Sequence, residues 1–162
     1  MIRLLLTIFL FSVPLGLAAC SEEEPQNAEN IAVEEVSALP LITVHKTPTC
    51  GCCNAWIDHL RENGFEVSAI DVENTTPIAS RLGVPDNMRS CHTGEVDGYA
   101  LEGHIPAEDI KRLLDERPDI AGLSVPGMPL GSPGMEAGGQ TQPYTVFAIG
   151  HDGATEAFAQ HN

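Results

Sequence analysis

Three cysteines in four positions, Cys50, Cys52 and Cys53 in "TPTCGCCNAW", constrain this chain more than any other stretch of it. The run "LITVHK" (41–46) before them is short, apolar and β-branched, which predicts a strand. After them, "CNAWIDHLREN" (53–63) carries Trp56, Ile57 and Leu60 at helical spacing and stops at Asn63-Gly64. "FEVSAIDV" (65–72) alternates and predicts a second strand. The thiols therefore sit where a strand hands over to a helix. An odd thiol inside a C-x-x-C pair cannot be accounted for by that pair alone.

Strand, cysteine loop, helix and strand form a βαβ opening with C-x-x-C at the helix N-terminus, as in thioredoxin-like folds. Beyond it, "TPIASRLG" predicts a short helix and "VDGYALEGH" (96–104) a strand or hairpin arm. "IPAEDIKRLLDERP" predicts a helix, with Pro106 in the first turn, Glu108 and Asp109 behind it, and Pro118 as its end. "GLSVPGMPLGSPGMEAGGQTQP" (122–143) is Gly/Pro-rich and predicts an irregular loop; one this long inside a compact domain is either functional or unstructured. "YTVFAIG" and "ATEAFAQ", joined through His151-Asp152-Gly153, predict a closing hairpin. The expected fold class is α/β and thioredoxin-like: a central mixed sheet flanked by helices, with a long Gly/Pro/Met-rich loop.

The chain opens "MIRLLLTIFLFSVPLGLAAC", with Arg3, an apolar run and a small-residue end, the layout of a secretory signal peptide. "LAAC" (17–20) resembles the bacterial lipobox, which implies a lipidated Cys20 after removal of 1–19. Ser21 in place of Asp implies the outer membrane. "SEEEPQNAENIAVEEVSA" (21–38) holds six glutamates and no basic residue, so 20–38 is expected to be an acidic, disordered tether. The predicted domain then spans 39–162, on the periplasmic side of a bacterial membrane, in an oxidising compartment. A formal net charge of −15 argues against nucleic acid as a partner, because phosphates select Lys and Arg.

Backbone N–H groups at a helix N-terminus favour a thiolate, so Cys50 and Cys53 are suited to thiol–disulfide exchange, with Lys46 nearby. Cys52 does not fit that task, and a fourth thiol, Cys91, stands in "RSCHTGEVDGY". Two structural disulfides would use all four, though bonds between residues this close are strained. Zinc is less suited, since its usual structural spacing needs a second separated C-x₂₋₄-C pair. Soft thiolates suit Cu(I), and bridging sulfurs holding more than one copper ion account for an odd thiol. Met128 and Met135, in the Gly/Pro-rich loop, are candidate thioether ligands, and His92 and His104 candidate imidazole ligands. His45 is a weaker candidate. His59, His151 and His161 are expected to be solvated, and Met88 to lie in the core.

With "TPTCGCCNAW", "SCHTGEVDGYALEGHIPAEDIKRLL" and "GLSVPGMPLGSPGME" together, the chain resembles the CopG-type copper-resistance family over about 42–158. The resemblance implies a periplasmic thioredoxin-like protein with a cysteine-bridged, redox-active Cu(I) cluster. Cys50, Cys52, Cys53 and Cys91 match its cluster thiols, Met128 and Met135 its Met loop, and His104 its "EGH" position. "TPTCG" also resembles the arsenate reductase loop, but here a second cysteine follows Cys-Gly and the loop has no arginine.

Two functions compete on these residues. One is an exported copper-binding protein contributing to copper resistance, with copper ions, a periplasmic copper-handling or redox protein, and the membrane as partners. The other is a thiol–disulfide oxidoreductase in which Cys50 and Cys53 are catalytic. A structural disulfide domain that uses the Met loop for docking is a third.

Overall fold

The computed structural model describes residues 38–162. The expected signal peptide (1–19), Cys20 and the expected tether before Ala38 lie outside the described residues. Strand β1 (Ile42–Lys46) runs into helix α1 (Gly51–Glu62), which returns to β2 (Val67–Asp71), parallel to β1. Helix α2 (Thr76–Arg81) and a 3₁₀ turn (Asp86–Met88) lead to β3 (His92–Val96) and β4 (Tyr99–Glu102). Helix α3 (Ala107–Glu116) precedes β5 (Gly122–Ser124), β6 (Tyr144–Ile149) and β7 (Thr155–His161). The seven strands form one mixed sheet in the order β2-β1-β3-β4-β5-β6-β7.

The mixed α/β expectation is met, but the sheet dominates and the helices are few. A sheet flanked by helices is therefore corrected to a sheet whose long helices serve one core. Trp56, Ile57 and Leu60 of α1 and Ile110 and Leu113 of α3 pack with Ile42, Val44, Leu101, Leu123 and Val146 of the strands. A smaller cluster gathers Ala79, Val84 and Met88 against Ala100 and Ile149. Residues alternate between the two faces of a strand, so Ile42, Val44 and Lys46 point one way and Thr43 and His45 the other.

Local sequence sets the element boundaries. Cys50 is the N-cap of α1, its Sγ accepting from the Cys53 N–H at 3.3 Å. Helix α3 starts after Pro106, carries Glu108 and Asp109 in its first turn, and stops where Arg117 turns left-handed ahead of Pro118. Strands β3 and β4 are a two-residue hairpin whose turn residues, Asp97 (φ 50°) and Gly98 (φ 89°), both have positive φ, as a type I′ turn requires. The predicted 22-residue irregular stretch is shorter than expected, because its first residues form β5 between β4 and β6. Among the described residues, no helix is long and apolar enough to cross a membrane.

Candidate metal centre

Strand register assembles the site. Lys46, the last residue of β1, lies opposite His92, the first of β3. The cysteine loop leaving β1 therefore emerges beside Cys91. Within the β3–β4 hairpin, Thr93 pairs with Glu102, and the Gly103 N–H continues the ladder to the His92 carbonyl at 3.1 Å. One step further out, the same register brings Cys91 and His104 together.

The four cysteines converge. Cys50 and Cys53 are joined as a disulfide, while Cys52 and Cys91 are free thiols. Cys52 Sγ lies 3.5 Å from Cys50 Sγ and 3.8 Å from Cys91 Sγ, and Cys53 Sγ lies 3.6 Å from Cys91 Sγ. All four sulfurs lie within 4.8 Å of one another, close enough to share metal ions. A second group overlaps the first: His92 Nδ1 is 3.3 Å and His104 Nε2 3.2 Å from Cys91 Sγ.

Both imidazoles are held by their other nitrogen. His92 Nε2 faces the Gly103 carbonyl at 3.0 Å and His104 Nδ1 the Pro133 carbonyl at 2.8 Å. A carbonyl only accepts, so these nitrogens carry the protons and the lone pairs point at Cys91. Such carbonyl anchors orient ligating histidines in metalloproteins. The His92 ring also lies against Trp56, centroids 4.3 Å apart, and Trp56 Nε1 donates to the Ile105 carbonyl at 2.8 Å. Burial, then the neighbouring His104, holds His92 down to about 3; burial lowers His104 as well. Burial, then Cys52, pushes the Cys91 thiol up to about 12. At neutral pH the pocket thus holds neutral imidazoles and a protonated thiol. Two lone pairs compete for the single S–H proton, a donor deficit that a cation would fill.

The Met loop is fastened at two points. Ser90 Oγ donates to the Gly127 carbonyl at 2.5 Å and the Gly127 N–H to the Arg89 carbonyl at 3.0 Å. At the other end, beyond the His104–Pro133 bond, the Gly134 backbone meets the first turn of α1. A Cβ there would stand 2.7 Å from both Cys52 O and Trp56 N, and φ is +81°. Met128 therefore follows the fastening beside Cys91, with 53% of its surface exposed, and the half-buried Met135 follows the one against α1.

Other expectations are corrected. Lys46 is buried and its Nζ binds Asp71 at 2.7 Å, so its charge is engaged away from the thiols. His59 is half-buried, not solvated: its Nε2 accepts from the Ala107 N–H at 3.1 Å and caps α3. His161 pairs with the buried Asp109 at 2.7 Å, whereas His151 is exposed as expected. His45 belongs to neither ligand group. The sequence reading missed the anchoring carbonyls of Gly103 and Pro133 because backbone groups leave no side-chain signature.

Comparison with known proteins agrees with this construction. A family model described as "Protein of unknown function, DUF411" matches residues 88–135, from Met88 before Cys91 through Met135. No curated protein matches the chain. Two solved structures, both titled copper resistance protein copG (Form 2 and Form 1), are 46% identical to it. Each covers 76% of this chain; the alignments span 99% and 98% of those chains, with TM-scores of 0.73 and 0.72. At that identity and coverage, the chain belongs to the CopG family of copper resistance proteins.

Proposed function

We propose that this protein holds more than one Cu(I) ion in a cysteine-bridged site and so contributes to copper resistance. The carrying observation is the convergence of Cys50, Cys52, Cys53 and Cys91 within 4.8 Å. Three thiolates from the N-cap and first turn of α1 and a fourth from the residue before β3 can share ions by bridging, and sulfur donors select Cu(I) by softness. Met128 and Met135 extend the donor set with thioethers, and His104 and His92 with imidazoles. The family's solved members, titled as copper resistance proteins, support the same reading.

The β1–α1–β2 unit, with C-x-x-C at the helix N-terminus, supports a thioredoxin-like reading of the first half, and β5–β7 extend it. Residues 1–19 act in this reading as a lipoprotein signal and Cys20 as the lipid anchor. Residues 20–38 are the tether that holds the domain in the periplasm, at the outer membrane, where it meets a copper-handling or redox partner protein.

The disulfide between Cys50 and Cys53 favours a second reading, a thiol–disulfide oxidoreductase. The two meet in one reaction: Cys50 and Cys53 lose two electrons and two protons on joining, and two Cu(II) ions accept one electron each to become Cu(I). Anaerobic Cu(I) titration of the reduced protein against a competing chelator, with Cys91→Ser alongside, tests the first reading. Uptake of more than one copper per chain, much weakened in the variant, is expected. Negligible uptake together with rapid exchange on a model disulfide would leave the oxidoreductase.

A further inference from the structure

We propose that Cys91, His92 and His104 form a second metal site, of different ligand chemistry, that takes one divalent first-row ion while Cys50 and Cys53 are joined. The disulfide removes two of the four sulfurs from metal binding but leaves this group whole. Of the four cysteines, only Cys91 belongs to both groups. The same sulfur thus serves a soft, sulfur-bridged site in the reduced protein and a borderline site of two imidazoles and one thiolate in the oxidised one.

The geometry fits an ion with little adjustment. Bond lengths of about 2.3 Å to sulfur and about 2.0–2.1 Å to nitrogen put the ligand atoms of a tetrahedral site about 3.5 Å apart. The sulfur-to-nitrogen separations here are 3.2 and 3.3 Å, so entry of an ion asks for a few tenths of an ångström. The lone pairs are already aimed, because Gly103 and Pro133 fix both tautomers. Both rings are fully buried, so little ordering remains to be done on binding. On binding, Cys91 gives its proton to solvent and no electron moves.

Two imidazoles with one thiolate are the donors of Cu(II) electron-transfer sites and suit Zn(II) and Co(II) equally well. An ion of this type is discriminated from Cu(I) by the two nitrogen ligands. The proposal shares Cys91 with the thiol cluster but does not depend on Cu(I) occupying that cluster.

Co(II) is the probe, because it does not oxidise the remaining thiols. Purified protein with the disulfide intact, shown by two fewer reactive thiols per unfolded chain than after full reduction, is titrated with Co(II). One ion per chain is expected, with a thiolate-to-cobalt charge-transfer band and the intense visible bands of a tetrahedral site. Cys91→Ser should abolish the charge-transfer band, His104→Gln should weaken binding at least about tenfold, and Cys52→Ser should keep both the charge-transfer band and the tetrahedral spectrum. Circular dichroism checks each variant; if His104→Gln does not fold, the Cys91→Ser and Cys52→Ser pair still decides. Absence of the tetrahedral spectrum, or its loss in Cys52→Ser, would overturn the proposal. These measurements use the oxidised protein and the Cu(I) titration the reduced one, so either reading can fail without the other.

Discussion

Cys91 and His104 meet at 3.2 Å, thiol to Nε2, although 13 residues separate them. The encounter matters because the thiol is a poor acid, pushed up to about 12 by burial and then by Cys52. Copper must displace that proton, so affinity tracks pH. Each thiol proton displaced makes binding about tenfold tighter per pH unit, or about 100-fold from about pH 6 to about pH 8. Chelator competition at those two values on the reduced protein should show at least that gain. A flat profile would mean that Cys91 does not ligate as a thiolate.

The same pocket governs stability in the metal-free protein. His92 and His104 stay neutral when folded but take up protons when unfolded below about pH 6.5. The unfolded state therefore binds more protons, and stability falls as pH drops from about 6.5, with the His92 contribution continuing to about 3. Each histidine contributes a slope of up to about 1.4 kcal/mol per pH unit. Glu102, raised by burial, acts in the opposite direction and weakens the fall near its own titration. Urea unfolding across that range, compared with His104→Gln, should show a shallower dependence in the variant. Equal slopes would remove the assignment.

Gly134 lets the Met loop close on α1. Alanine there would place its Cβ 2.7 Å from Cys52 O and from Trp56 N, at φ +81°. Overpacking and a left-handed residue together should cost about 2–4 kcal/mol, or else undock the loop. Because Pro133 anchors His104, undocking also frees that ring. Gly134→Ala should therefore melt lower, be cut faster in the loop by a protease, and bind metal more weakly. Unchanged proteolysis would show that the loop does not depend on this contact.

Much of this was legible in the sequence, where local chemistry decides the outcome. The cysteine loop at the start of α1, and Pro106 and Pro118 framing α3, are local signals and the structure follows them. Reading 96–104 as one strand or hairpin arm passed over the Asp97-Gly98 turn between β3 and β4; counting outward from that turn places Cys91 opposite His104. Strand β5 was not legible: Gly122–Ser124 lies in a Gly/Pro-rich run, and its place between β4 and β6 rather than its propensity makes it a strand. The cap that His59 gives α3 was hidden likewise, since its partner Ala107 lies 48 residues away. The pairing of Lys46 with His92, which sets the loop thiols beside Cys91, is equally non-local.

Thiol reactivity separates the roles of the cysteines in the reduced protein. Cys50 is half-exposed at the helix N-cap and accepts from the Cys53 N–H, which stabilises its thiolate. Cys53 is fully buried, and burial, then Cys52, raises the Cys91 thiol and leaves it little thiolate. Limiting iodoacetamide, followed by mass spectrometry, should therefore label Cys50 at least about tenfold faster than Cys53 or Cys91. Such an order suits Cys50 as the attacking thiol of an exchange reaction, so reactivity alone does not separate the two functions. Copper does: ions bridged among all four sulfurs must protect Cys50, Cys52, Cys53 and Cys91 together, at one copper concentration. Protection of Cys91 while Cys50 stays reactive would place copper outside the cysteine loop and leave that loop to redox exchange.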